Sequence, residues 1–101
     1  MFPGDDWETR NPLRPLLQGL PVYFGDVALI GMADNHMSRN DVLVVLEDGE
    51  PCEAGQRKAD VIERCSTFRK RWIRVVARRD YRVDMDEECW LVVHVDEAPR
   101  K

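Results

Sequence analysis

The stretch Ser38-Arg39-Asn40-Asp41-Val42-Leu43-Val44-Val45-Leu46-Glu47-Asp48-Gly49 carries a complete helix signal. Ser38, followed three residues later by Asp41, has the spacing of a capping box, and the acid would lie near the positive end of the helix dipole. The apolar residues at i, i+3 and i+4 form one face, namely Val42, Val45 and Leu46. Gly49 stands where a left-handed residue commonly ends a helix, and Pro51 forbids continuation. The sequence therefore predicts a helix over 39–48.

Three strand-like runs follow this helix, at Val61–Phe68, Trp72–Arg79 and Cys89–Val95. The second run alternates two sets of side chains, with Ile73, Val75 and Ala77 against Trp72, Arg74, Val76 and Arg78. The third alternates likewise, with Leu91, Val93 and Val95 against Trp90, Val92 and His94. Strands that follow each other closely favour an antiparallel meander.

A second helix is predicted before the first, over residues 26–35, with Asp26 as its N-cap. Its buried face would hold Val27 and Ile30 together with either Leu29 or Ala33. Gly31 weakens this prediction because glycine costs up to about 1 kcal/mol relative to alanine in a helix. A strand from Val22 to Ile30 is the competing assignment.

Residues 1–21 contain four prolines, which block a long helix and a central strand, so they are interpreted as an extended arm. Residues 22–96 would form one α+β domain, and residues 97–101 a polar tail. Helices first and strands later favour two helices packed on one face of a small antiparallel sheet of three to four strands.

Composition narrows the class of protein. The chain has 101 residues and a net charge of −4, with no apolar run long enough to cross a bilayer. Its start lacks the pattern of a signal peptide, so we expect a cytoplasmic protein without membrane contact. The odd cysteine count predicts free thiols at Cys52, Cys65 and Cys89. Their spacings fit no compact zinc module, so neither a metal nor a cofactor is predicted.

Charge is segregated along the chain. Residues 64–82 carry a net charge of +7, and residues 84–97 carry −6. A basic stripe suggests a phosphate backbone as partner. Two oppositely charged arms of one hairpin would instead neutralise each other across the strands. The acidic balance of the whole chain favours mutual neutralisation.

Residues 27–50 resemble an uncharacterised bacterial domain family that neighbours the RelE, HigB and BrnT toxins. That family opens His-Ala-x-x-Arg-Met-x-x-Arg-Gly-Ile-Ser and has a helix that ends Leu-x-x-Gly-Glu, followed later by a strand pair with an Arg-Val-Val core. This chain matches it in register at Ala28, Met32, Ser38, Gly49 and Glu50, and again at Arg74-Val75-Val76 and Trp90-Leu91-Val92-Val93. The resemblance implies a RelE-like fold and a place among toxin-like proteins, many of which cleave mRNA or bind a cognate antitoxin.

The chain departs from that family at its polar positions. Val27 stands in place of the family's histidine, Gly31 and Asn35 in place of its two arginines, and His36 in place of its glycine. The resemblance therefore transfers no catalytic residue to this chain.

Metal-independent RNA cleavage needs an acid, a base and cations around the phosphate. The candidate proton carriers are His94 and Tyr81, with His36 as a further histidine. The candidates for binding a phosphate or a partner are Arg69, Arg71, Arg74, Arg78 and Trp72. Trp72 and Trp90 would share a sheet face and could stack bases.

Three hypotheses follow. The first is a non-catalytic, toxin-like module that binds a protein partner, antitoxin-like or a second copy of itself, through its basic hairpin. The alternative is a RelE-type mRNA endoribonuclease that uses Arg74, Arg78, Tyr81 and His94 with RNA as its partner. The third is a subunit that self-associates through the arm.

Overall fold

The computed structural model describes residues 16–52 and 60–98. It contains two helices, α1 (Asp26–Asp34) and α2 (Arg39–Asp48). The strands are β1 (Leu16–Leu17), β2 (Leu20–Phe24), β3 (Glu50–Pro51), β4 (Val61–Phe68), β5 (Arg71–Arg82) and β6 (Glu87–Glu97). They form one curled sheet in the order β1-β2-β6-β5-β4-β3, in which β2 and β6 are parallel and all other neighbours antiparallel. The predicted antiparallel sheet of three to four strands is therefore wrong, although helices and strands are both present.

Two of the three extra strands, β1 and β2, begin in the segment for which the sequence predicts an extended arm. Residues 16–21 form β1 and the start of β2, joined by a two-residue turn in which Gln18 and Gly19 both have positive φ. This turn geometry matches the twist of a hairpin. Pro21 lies near the start of β2, ahead of Val22 where the pairing with β6 begins, so it interrupts no part of that ladder. Residues 1–15 of the predicted arm lie outside the described residues.

Helix α2 is confirmed with the bounds that the sequence predicts. The Ser38 hydroxyl accepts from the Asp41 amide at 3.1 Å, and the Asp41 carboxylate accepts from the Ser38 amide at 2.8 Å. Gly49 does not adopt the predicted left-handed conformation, since its φ is −70°. Glycine is required there for space instead: a Cβ would lie 2.5 Å from the Val45 carbonyl oxygen and 2.9 Å from that of Cys65.

Helix α1 is confirmed, but its predicted buried face is wrong and its N-cap is Gly25 rather than Asp26. Ala28 and Met32 are buried, whereas Val27 and Ile30 are 58% and 63% exposed. The reason is a close approach of the helix to β6 that only glycine allows at position 31. Neither described helix combines the length and the apolar character that a membrane-spanning helix requires.

The core lies between the helices and one side of the sheet, which we call the helix-facing side. Its central residues, Ile73, Val75, Ala77 and Val92, are fully buried. The opposite side, turned away from the helices, is called the outer face. Helix α2 contacts β4, which lies next to one edge of the sheet, and β1, which forms the other edge, so the sheet curls around it.

A β-bulge in β6 changes which side chains share a face. Val76 pairs with His94 and Ala77 with Val92, so Val93 is the extra residue. Because of this shift, Val95 joins Trp90 and Val92 in the core, and His94 turns to the outer face. The simple alternation predicted for residues 89–95 is therefore wrong at its C-terminal end.

The cysteines differ from the predicted set of free thiols. Cys52 and Cys65 form a disulfide across a Cα separation of 5.3 Å, whereas Cys89 is free and buried, as expected. Cys65 lies in the middle of β4 and is fully buried, and Cys52 directly follows β3. The odd count could not reveal this pair, because cysteine spacing does not define connectivity.

Candidate functional site

Two adjacent rows on the outer face bring together four polar side chains from the three long strands. Strand register places Glu63, Val76 and His94 in one row and Cys65, Arg74 and Asp96 in the next. We call Glu63, Arg74, His94 and Asp96 the outer-face cluster. Side chains on one face of neighbouring strands lie close enough to interact, so these rows bring together residues up to 33 positions apart.

Arg74 is the centre of this cluster. Its guanidinium donates two hydrogen bonds to the Asp96 carboxylate, at 3.0 and 2.7 Å, and lies 3.8 Å from a Glu63 carboxylate oxygen. Hydrogen bonding to Asp96 raises the pKa of Arg74 above its ordinary value, and the charges of Asp96 and Glu63 add to this effect against the opposing effect of burial. The arrangement is the bidentate arginine–carboxylate pair that is strongest in proteins.

Glu63 is the most buried charged residue of the cluster, with only 2% of its side chain exposed. A buried carboxylate needs compensating charge or hydrogen bonds, because desolvation otherwise destabilises its ionised form. Arg74 supplies part of that compensation. Neither Glu63 nor Asp96 was predicted as a site residue from the sequence, because neither belongs to a recognisable motif.

We expect the substitution Arg74→Met to lower the free energy of unfolding by about 2 kcal/mol, because it removes a cation from a buried carboxylate. This is below the cost for a fully buried pair, because 30% of the Arg74 side chain is exposed and solvent screens its contacts. The matched control is Arg78→Met, whose exposed pair with Asp80 at 3.6 Å should change stability by less than about 0.5 kcal/mol. Urea unfolding followed by circular dichroism measures both, and equal stabilities would contradict the assignment.

The basic and acidic arms of the β5–β6 hairpin do neutralise each other. Arg79 pairs with Glu88, and Arg82 pairs with Asp84, whose pKa is lowered by hydrogen bonding to Arg82. The two arginines also stack on aromatic rings: Arg79 lies 5.5 Å from the centroid of the Trp90 ring, and Arg82 lies 4.4 Å from that of Tyr23. Many of the basic side chains of residues 64–82 therefore already have partners and are not available to bind a phosphate backbone.

Unlike the paired arginines of the β5–β6 hairpin, the basic residues at the turn between β4 and β5 are exposed and lie in an unusual backbone conformation. Arg69 and Lys70 occupy its two central positions with φ of 51° and 68°, the geometry of a type I′ turn. Such turns prefer Asn-Gly, and left-handed residues with a Cβ cost about 1–2 kcal/mol each. We call Arg69, Lys70 and Arg71 the hairpin tip; all three are exposed.

No carboxylate of the described residues forms an ion pair with the hairpin tip. Arg69 lies over the Phe68 ring, with 5.3 Å between the guanidinium carbon and the ring centroid. Arg71 donates a hydrogen bond of 3.1 Å to the Asn35 side chain, which itself donates to the Gly31 carbonyl at 2.9 Å. The tip is thus anchored to the α1–α2 linker, and its charge is not neutralised there.

The two predicted proton carriers do not come together. His94 is exposed on the outer face, beside Arg74 and Asp96 in the neighbouring row. Tyr81 follows the alternation of the helix-facing side, pairs with Glu88 far along β6, and donates its hydroxyl to Asp86. The prediction that Trp72 and Trp90 share a sheet face is also wrong, because Trp72 lies on the outer face and Trp90 in the core.

The remaining predicted binding residues divide between two places. Arg74, Arg78 and Trp72 share the outer face, whereas Arg69 and Arg71 belong to the hairpin tip. Across residues 16–52 and 60–98, no group of three or more His, Cys, Asp or Glu side chains is arranged to hold a metal ion.

Comparison of the chain with protein-family models, with curated proteins and with solved structures finds no match.

Proposed function

We propose that this protein is a toxin-like small domain that binds another polypeptide through its basic hairpin, without catalysing a reaction. The main support for this proposal is the hairpin tip. Its three cations are exposed and lack an ion-pair partner among the described residues, and two of them, Arg69 and Lys70, occupy turn positions that favour other residue types. Arginine-rich, partly apolar surfaces are typical of protein interfaces, and a tip rich in cations fits an acidic partner segment.

The charge of the outer face supports a binding function over RNA cleavage. On β4, β5 and β6 this face carries three arginines and four carboxylates, namely Arg74, Arg78, Arg82, Glu63, Asp80, Glu87 and Asp96. A polyanion requires a net positive surface, which this face does not provide. Arg74, the central cation of the outer-face cluster, already directs its guanidinium at the carboxylates of Asp96 and Glu63.

The resemblance to the toxin-neighbouring family also supports the proposal. The matched residues Ala28 and Met32 are buried, and the matched Ser38 caps α2. His36, which stands in place of the family's glycine, has a φ of 57°, a conformation that glycine adopts most readily. At the family's polar positions this chain has residues with other roles. Val27 is exposed, Gly31 allows α1 to approach β6 closely, and Asn35 accepts the hydrogen bond that anchors the hairpin tip.

A RelE-type mRNA endoribonuclease is the second candidate function. One observation favours it: the bulge in β6 turns His94 to the same face as Arg74 and Arg78. Bulges frequently direct side chains at functional sites, and a histidine beside two arginines is a workable acid–base and phosphate-binding set.

We expect a tagged copy of this protein, induced in a bacterial host, to leave growth and mRNA intact while it co-purifies with a polypeptide in fixed stoichiometry. The double variant Arg69→Glu/Lys70→Glu should lose that polypeptide, because it reverses the charge of the hairpin tip. Quantitative mass spectrometry of the purified complexes and sequencing of mRNA ends measure both effects in the same cultures.

The matched control is Arg78→Glu, which reverses a hairpin cation away from the tip and should retain the polypeptide. Retention of the polypeptide by the tip variant would contradict the proposed surface. Growth arrest with site-specific mRNA cuts, relieved by His94→Ala, would contradict the proposed function and establish the endoribonuclease.

A further inference from the structure

The outer side of α1, turned away from the sheet, combines exposed apolar residues with carboxylates. Val27 and Ile30 are 58% and 63% exposed and lie one helical turn apart on the same side. Asp26 and Asp34 stand at the two ends of the helix, about 12 Å apart along its axis. Helix α1 has no lysine or arginine, and neither aspartate forms an ion pair in the part of the chain that the structure describes. We call Asp26, Val27, Ile30 and Asp34 the α1 strip.

An apolar strip with a carboxylate at each end matches a particular kind of ligand. Lysine and arginine lay their aliphatic stems on apolar surface while their charged heads reach for anions or water. Two neighbouring long basic side chains could therefore cover Val27 and Ile30 and direct their cationic groups at Asp26 and Asp34. The hairpin tip offers such a pair in Arg69 and Lys70, on a turn that projects from the end of two long strands.

The hairpin tip does not reach these carboxylates within its own molecule. Arg71 is held at Asn35, just beyond the C-terminal end of α1. None of the three tip cations forms an ion pair with Asp26 or Asp34. Among the described residues, the basic hairpin tip and the acidic, apolar α1 strip therefore have no charge partners. A contact between two copies would supply both partners at once.

The acidic turn between β5 and β6 is a poorer match for the tip. The turn between β5 and β6 also exposes apolar residues, Val83 and Met85, beside several carboxylates. Its carboxylates already have partners, however, since Asp84 pairs with Arg82 and Asp86 accepts from Tyr81. Binding the tip there would require these contacts to break, whereas the α1 strip has no such contacts to lose.

We infer that this protein forms a symmetric dimer in which the hairpin tip of each copy lies on the α1 strip of the other. The inference rests on the proposed function, because it takes the hairpin tip as the binding surface and names a second copy of this chain as one of its partners. A two-fold axis makes the two tip–strip contacts equivalent, so the interface is closed and self-complementary.

Sedimentation velocity of the purified chain over a wide range of protein concentrations tests this inference. We expect a dimer at low ionic strength that weakens as salt is added, because salt screens exposed charge pairs. The tip variant Arg69→Glu/Lys70→Glu and the strip variant Asp26→Lys/Asp34→Lys should each be monomeric. An equimolar mixture of the two should recover the dimer, since each reversed surface then meets its complement.

The control Glu47→Lys/Asp48→Lys changes the charge of α2 by the same amount and should leave the dimer intact. Circular dichroism spectra and melting curves of every variant confirm that each one is folded. A wild-type chain that stays monomeric at low salt, or a mixture that fails to recover the dimer, would overturn the inference. Those outcomes leave the proposed function to the co-purification experiment, in which the tip's partner would be a different polypeptide.

Discussion

Replacing Gly31 by alanine is expected to lower the free energy of unfolding by about 2–3 kcal/mol. An alanine Cβ at this position would lie 1.9 Å from the Val95 carbonyl oxygen and 2.9 Å from its carbonyl carbon. Both are backbone atoms of β6, which pairs with β5 at this residue, so they cannot give way as a flexible side chain would. Alanine's better helix propensity, worth about 1 kcal/mol, offsets only part of the strain.

The matched control is Gly25→Ala, at the N-cap of the same helix. There a Cβ would meet its nearest atom, the Val92 carbonyl oxygen, at an ordinary 3.4 Å, and the backbone conformation suits any residue. Gly25→Ala should lower the free energy of unfolding by less than about 1 kcal/mol. Urea unfolding followed by tryptophan fluorescence compares the two variants. A Gly31→Ala protein as stable as the control would mean that α1 does not approach β6 this closely.

Reduction of the Cys52–Cys65 disulfide is expected to lower the free energy of unfolding by about 3 kcal/mol. The bond joins residues 13 positions apart, and closing a loop of that length removes about this much chain entropy from the unfolded state. It also fixes the end of β3 to the middle of β4. Chemical denaturation of the same chain with and without reductant measures the difference directly.

Thiol titration in denaturant provides the independent readout. One thiol should react before reduction and three afterwards, because only Cys89 is free. In the folded state Cys89 should react slowly, since burial raises the pKa of its thiol and the neighbouring charge of Asp80 adds to the effect. The variant Cys52→Ala/Cys65→Ala should show no dependence of stability on reductant. Three reactive thiols before reduction would show that the disulfide is absent.

The elements with local signals could be predicted from the sequence. Helix α2 has a capping box at one end and a glycine and a proline at the other, so its bounds follow from residues within the helix or adjacent to it. The three long strands follow from β-branched and aromatic residues in short runs. The buried side of α1 could not be predicted from periodicity, because this helix is apolar on both sides and Gly31, rather than Val27 or Ile30, marks the contact.

Non-local pairing is what the sequence could not reveal. The parallel pairing of β2 with β6 joins residues almost 70 positions apart. Because no short turn connects the two strands, no turn residues in the sequence indicate that they pair. The bulge at Val93 has no sequence signature either, yet it decides the candidate site. Without it, Arg74 would stand opposite Val95, and the Arg74–Asp96 pair would not form. The outer-face cluster was therefore predictable only in its parts, as a basic strand beside a strand that ends in acids.

The position of β6 in the sheet has a consequence for how the chain folds. This strand pairs with β2 on one side and β5 on the other and supports α1, yet it comes last in chain order among the described strands. During synthesis, neither the first hairpin nor α1 can find its final neighbours until residues 87–97 have left the ribosome. Contacts between distant parts of a chain slow folding because loop closure must precede them. The nascent protein therefore keeps the apolar surfaces of β2 and α1 exposed until β6 has been synthesised and takes its place in the sheet.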